Sequence, residues 1–234
     1  MDFFRKRLPS TKMGTFPVQS GTAAYSYYAA LPGGTNPATG QTYTTSADIG
    51  ISAYPLISAV PLNPVATGFY PIESLIVGIT LTGAAWHVEK ANDSSGNYYS
   101  PVNALPMDAC FGHPYNQQYH YHGYSWKCFP NQGTTGQSPV FGFALDGFPI
   151  TGPRAADGHE ITNAELDICH GTTSEITMPD GTRKNTYHYV LNREYPYSVG
   201  CFRGKVNYDQ ALGPPGPNPY MKEGATYPLG AYPP

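Results

Sequence analysis

Gln118-Tyr119-His120-Tyr121-His122-Gly123 decides how this chain is read. Aromatic and imidazole side chains alternate along it, and in a strand successive side chains point to opposite faces. The alternation therefore predicts a strand with His120 and His122 on one face and Tyr119 and Tyr121 on the other. Two imidazoles two residues apart on one face can share a metal ion, and tyrosine favours the strand. A shorter echo, Thr186-Tyr187-His188-Tyr189-Val190, lies downstream.

Composition supports strands over helices throughout. The chain has 234 residues with 20 Tyr, 26 Gly and 24 Pro, and only 12% are charged. That is about half the charge of an ordinary globular protein, and such a mixture favours strands and turns. The expected class is mainly β: a compact disulfide-containing domain with long ordered loops. The net charge of −3 offers no basic face for nucleic acid. The Arg5-Lys6-Arg7 cluster reads as a solvated tail. No apolar run reaches the length of a membrane span. Met1 to Arg7 is basic enough to begin a leader, but Leu8-Pro9-Ser10-Thr11-Lys12 follows where an apolar stretch would stand, so no signal peptide is expected.

Three segments are expected. Residues 1–65 form an extended arm, because Asp48 is the only charged residue between Lys12 and Glu73 and Gly and Pro interrupt the stretch. Within it, Ile49 to Ile57 and Val60-Pro61-Leu62 are candidate edge strands, where proline is tolerated. Residues 66–206 form the β domain, entered through an apolar strand within Glu73 to Leu81. Residues 207–234 form a Pro/Tyr/Gly-rich tail, since proline removes donors and favours extended backbone. Asn92-Asp93-Ser94 is a formal glycosylation sequon, meaningful only in a eukaryotic secretory route.

The domain carries an internal echo. Gly78-Ile79-Thr80-Leu81-Thr82-Gly83 resembles Gly142-Phe143-Ala144-Leu145-Asp146-Gly147. Cys110, His113, the first Y-H-Y and Cys128 follow the first; Cys169, His170, the second Y-H-Y and Cys201 follow the second. From Gly78 to His120 is 42 positions, and from Gly142 to His188 is 46. A unit used twice accounts for this order, with the two Y-H-Y strands meeting at the centre. It favours disulfides within halves, Cys110–Cys128 and Cys169–Cys201, over the alternative pairings or four reduced thiols.

The run Cys110-Phe111-Gly112-His113-Pro114, Tyr119 to Gly123, Gly142 to Ile150, Leu166 to Gly171, Thr186 to Tyr189, Tyr195-Pro196-Tyr197 and Gly200 to Gly204 resembles the YHYH domain family, over about residues 68–205. The resemblance implies a domain met in exported or structural contexts, including marine viruses, and carries over no catalytic residue. Two departures stand out. Val190 follows His188-Tyr189 where many members place a second histidine, and His170-Gly171 replaces Asn-Gly after the cysteine. The first removes a ligand; the second supplies a replacement.

The metal candidates are His113, His120, His122, His170 and His188, with Asp146 orienting a ligand from behind. Imidazole donors suit Cu or Zn. The competing reading is a hydrogen-bonded core of histidine and tyrosine. His87 and His159 read as surface or loop residues. No G-x-S-x-G, H-E-x-x-H or P-loop motif is present. The leading expectation is therefore a structural or assembly subunit of an extracellular or virion surface. It would contact copies of itself or other structural subunits through arm and tail, without nucleic acid or membrane. The alternative is a Cu- or Zn-dependent enzyme or metal-binding protein.

Overall fold

The computed structural model describes residues 2–7, 51, 54–92, 98–104, 107–115, 117–124, 128–129 and 136–208. Most of the arm and the tail from residue 209 lie outside the described residues. Strand β1, Asp2–Arg7, pairs antiparallel with β2, Tyr54–Ala59. The basic cluster read as a solvated tail is thus part of a strand. Of the Ile49–Ile57 candidate, Tyr54 to Ile57 lie in β2. Val60-Pro61-Leu62 is not a strand. Val60 is buried with Val140, Phe143 and Ile176, whereas Leu62 is exposed.

The mainly β class is observed. The domain is one 8-stranded sheet built from β3 (Ile76–Thr80), β4 (Ala85–His87), β7 (Gly112–Tyr115), β8 (Gln118–Tyr121), β9 (Val140–Ala144), β10 (Pro149–Thr151), β11 (Gly171–Thr177) and β12 (Arg183–Val190). A separate pair, β5 (Ala91–Asn92) and β6 (Tyr98–Tyr99), precedes a single helical turn, α1 (Pro101–Ala104). No helix among the described residues is long and apolar enough to cross a membrane.

The sheet reads β11-β12-β10-β9-β3-β4-β8-β7, and that order is a palindrome of two equivalent halves. Each half is an antiparallel hairpin (β3–β4 or β9–β10), joined in parallel to the inner strand of a second hairpin (β7–β8 or β11–β12). The halves meet where β3 pairs antiparallel with β9, through Gly78↔Ala144, Ile79↔Phe143 and Thr80↔Gly142. Equivalent residues exchange places across this seam, which is what a two-fold relation requires. Hydrogen bonds repeat it: Leu81 N–H donates to Phe141 O at 2.7 Å and Leu145 N–H to Val77 O at 3.0 Å.

The Y-H-Y strands were expected to meet centrally, and they do not. β7 and β4 occupy both edges of β8, and β11 and β10 occupy both edges of β12. No backbone donors remain for the two to pair. With β4, β3, β9 and β10 between them, they stand roughly 24 Å apart at ordinary strand spacing.

The cysteines pair as Cys110–Cys128 and Cys169–Cys201, one bridge per half, and none is free. Cystines of this kind belong to an oxidising compartment. A shared device precedes each bridge. Asp108 Oδ1 accepts from Cys110 N–H and Gly112 N–H, and Asp167 Oδ1 accepts from Cys169 N–H and Gly171 N–H. Tyr119 and Tyr187 donate their hydroxyls to the same two carboxylates, at 2.8 and 2.9 Å. Gly112 and Gly171 must be glycine because a Cβ there would run into the Tyr119 and Tyr187 rings.

Candidate metal centre

β8 holds the histidine face as the alternation requires. On the opposite face Tyr119 and Tyr121 meet edge to face at 5.2 Å, and Tyr121 joins a stack with Trp86 and Phe129. Those aromatics are buried and fix the strand. Trp86 also donates to His122 O at 3.4 Å, anchoring the backbone where β8 ends.

His113 pairs with His120 across the β7–β8 hairpin. The parallel β4–β8 pairing brings His87 to the same place, against its reading as a surface or loop residue. All four rings are buried, at 1–4% exposure. Burial and the neighbouring imidazoles push His87 and His120 well below the usual histidine range, so both are neutral near pH 7.

The tautomers follow from the partners. His120 Nδ1 lies 3.2 Å from Gln118 O, which can only accept, so Nδ1 carries the proton and Nε2 is bare. His122 Nδ1 lies 3.1 Å from Glu89 Oε2, close but not aligned for a hydrogen bond. A bare Nδ1 would repel that carboxylate, so the proton sits there and leaves Nε2 exposed to its neighbours. Glu89 is itself held by Ser100 Oγ–H and Val102 N–H, both at 2.7 Å from Oε1. A carboxylate or carbonyl behind an imidazole is the usual way to orient a metal ligand.

The Nε2 atoms of His120 and His122 then face each other at 3.0 Å, and His113 Nε2 is 3.3 Å from that of His122. Facing lone pairs need positive charge between them. A proton between His120 and His122 satisfies that contact; an ion there takes both lone pairs, with His113 Nε2 beside it as a third nitrogen. Two imidazoles on an ion at ~2.05 Å lie about 2.9 Å apart at a right angle and about 3.3 Å apart in a tetrahedron. The observed separations fit that range.

Ligand atoms of His87, His120 and His122 lie within 4.8 Å of one another. Ring planes nevertheless favour His113 as the third donor. His87 stacks on His120 at 3.6 Å and 16°, so an ion in the plane of one ring lies far outside the plane of the other. His113, in contrast, is inclined 64° and 66° to His120 and His122, and those two are inclined 73° to each other. His87 becomes a donor only after its ring turns.

The remaining expected ligands lie elsewhere. His188 accepts or donates between Thr151 Oγ1 at 2.9 Å and Ser174 Oγ at 2.8 Å. His170 contacts Asn163 Oδ1 at 2.8 Å, behind Cys169. Neither joins the cluster, because both lie in the other half, His188 on β12 and His170 just before β11. Asp146 does not back a ligand. It is buried at the β9–β10 turn, where it accepts from Tyr189 Oη–H at 2.6 Å and from the Phe148, Arg203 and Gly204 amides. Burial lifts its carboxyl to about 6 against those hydrogen bonds.

Register identifies what the second half has in place of the cluster. His120 corresponds to His188, His113 to Thr172, His122 to Val190 and His87 to Thr151. One half gathers imidazoles at this position; the other satisfies a lone imidazole with hydroxyls.

These features define a disulfide-closed β domain of two matched halves, one of which carries a buried imidazole cluster. The family model described as YHYH protein matches residues 57–164 of the chain. No curated protein and no solved structure matches the chain.

Proposed function

We propose that this chain is a metal-binding protein of an oxidising, extracellular setting, and that His113, His120 and His122 hold a Cu or Zn ion through Nε2. The observation that carries this is the approach of the His113 and His120 Nε2 atoms to that of His122, at 3.3 and 3.0 Å, with His120 and His122 oriented from behind by Gln118 O and Glu89. Burial favours a retained ion over one that turns over substrate. The matched half reaches the same strand geometry with Thr151 and Ser174 on His188. The fold thus has a metal-free solution, and an ion in the first half serves binding more than folding. Elemental analysis of purified wild type beside His120→Ala/His122→Ala tests this. Near-stoichiometric Cu or Zn lost in the variant is the expected result; a well-folded, metal-free wild type overturns it.

A structural or assembly role on an extracellular or virion surface is the second reading. It is favoured by the β1–β2 pair, a sheet separate from the main one that places a basic strand outside it. An assembly subunit would elute as a large species that dissociates when residues 1–65 or 208–234 are removed. A protein that keeps its size after both cuts has no such role.

A further inference from the structure

We propose that two copies of this chain associate edge to edge, β11 against β11, antiparallel about a two-fold axis at Ser174. The contact lies on the main sheet, away from arm and tail, and is independent of whether the histidine cluster holds an ion.

The sheet has two edges, β11 and β7. Along β11 the register fixes which backbone groups are in use. Val190 N–H donates to His170 O at 3.0 Å at one end of the hairpin, and Met178 N–H donates to Thr182 O at 2.8 Å at the other. In an antiparallel pair such residues alternate with residues whose N–H and C=O turn outward. Both ends therefore agree: Thr172, Ser174 and Ile176 bond to β12, while Gly171, Thr173, Glu175 and Thr177 turn away from it. Asp167 occupies both outward groups of Gly171, its amide donating to Gly171 O and its Oδ1 accepting from Gly171 N–H. Thr173, Glu175 and Thr177 are exposed, and among the described residues nothing bonds to their outward groups.

The matched edge is closed. Gly112 of β7 is occupied by Asp108 in the same way. Two residues on, where β11 has Thr173, β7 has Pro114, which offers no N–H. β7 then ends at Tyr115, four residues long against the seven of β11. Proline and lysine are the usual guards of an exposed edge, and β11 carries neither. Its one charge, Glu175, is already paired with Arg183 of β12.

The strand is also complementary to itself. With Ser174 facing its symmetry mate, all seven residues from Gly171 to Thr177 overlap, and Thr173 stands opposite Glu175 of the second copy. Each of these two residues exchanges N–H and C=O with the other, twice by symmetry, which joins the two sheets into one. No like charges face each other. An axis one residue further on would set Glu175 against Glu175, which is unfavourable.

The experiment is sedimentation equilibrium of the full chain from micromolar to millimolar concentration, beside variants at one position. Wild type is expected to show a monomer–dimer equilibrium. Thr173→Pro places in β11 the residue that β7 carries at the matched position, and is expected to stay monomeric with an unchanged far-UV spectrum. Thr173→Glu sets like charges across both symmetric contacts and should weaken association about 10-fold, whereas Thr173→Lys should strengthen it several-fold. Both keep the N–H, so their opposite shifts decide the matter even where the proline variant does not fold. Wild type that remains monomeric at millimolar concentration overturns the inference, and so does a dimer indifferent to all three variants. A dimer indifferent to them but lost on removal of residues 1–65 or 208–234 overturns it in favour of assembly through arm or tail.

Discussion

His188 shows what a buried imidazole costs when no metal accompanies it. Burial lowers its pKa to about 4, and His170 is held at about 4 for the same reason. A depressed folded pKa means that the unfolded chain binds the proton first as pH falls. The stability each ring contributes is therefore full above its unfolded pKa, about 6.5, and is lost progressively down to about 4. For one such ring the loss is roughly 3 kcal/mol. Denaturant unfolding between pH 4 and 7 should accordingly show stability rising with pH. His188→Gln should remove about one proton from that slope. An unchanged slope would mean that His188 is accessible to protons in the folded state. Asp146 acts in the opposite sense, since its raised carboxyl favours the folded state below its ordinary value and loses that contribution as pH rises through about 6.

Equivalent registers in the two outer hairpins make a controlled substitution available. Thr172 and Val190 occupy in β11 and after Tyr189 the places that His113 and His122 occupy in the first half. His113→Thr/His122→Val should therefore fold, losing no more than about 2 kcal/mol, while metal content falls to background. Metal retained by this variant would move the site to His87 and His120. What the sequence made legible at this scale follows the same division. His120 and His122 were readable because period-2 alternation is local. His87 was not, since its place depends on β4 pairing in parallel with β8, a contact no motif announces. The place of His188 is not legible either, since likeness of motif does not imply nearness in space and four strands separate β12 from β8. Asp108 went unread although Asp108-Ala109-Cys110-Phe111-Gly112 and Asp167-Ile168-Cys169-His170-Gly171 share one spacing. That repetition was the available signal.

Across the whole molecule, the duplicated order of elements was legible but its geometry was not. Sequence gives the order of glycine-bracketed strand, cysteine and Y-H-Y strand; it does not say which strands form the seam. Only the backbone pairing of β3 with β9 sets that. The disulfides bear on both fold and site. Cys110–Cys128, 18 residues apart, encloses His113, His120 and His122 in one loop. Cys110→Ala/Cys128→Ala should cost about 3 kcal/mol, the entropy of releasing such a loop, and should weaken metal binding along with it. Cys169→Ala/Cys201→Ala should destabilise comparably but leave metal affinity near wild type. Equal effects of the two pairs on metal would show that the halves do not act independently.

The seam has one more consequence, for how this chain tolerates change. Two halves of common plan share a centre, yet only one is charged with gathering imidazoles. Saturation mutagenesis scored separately for folding and for metal retention should return a mirror-image map for the first trait. For the second it should be lopsided, with positions intolerant around His120 and permissive around His188. A molecule built this way is its own reference: whatever the first half does beyond folding can be read as its difference from the second.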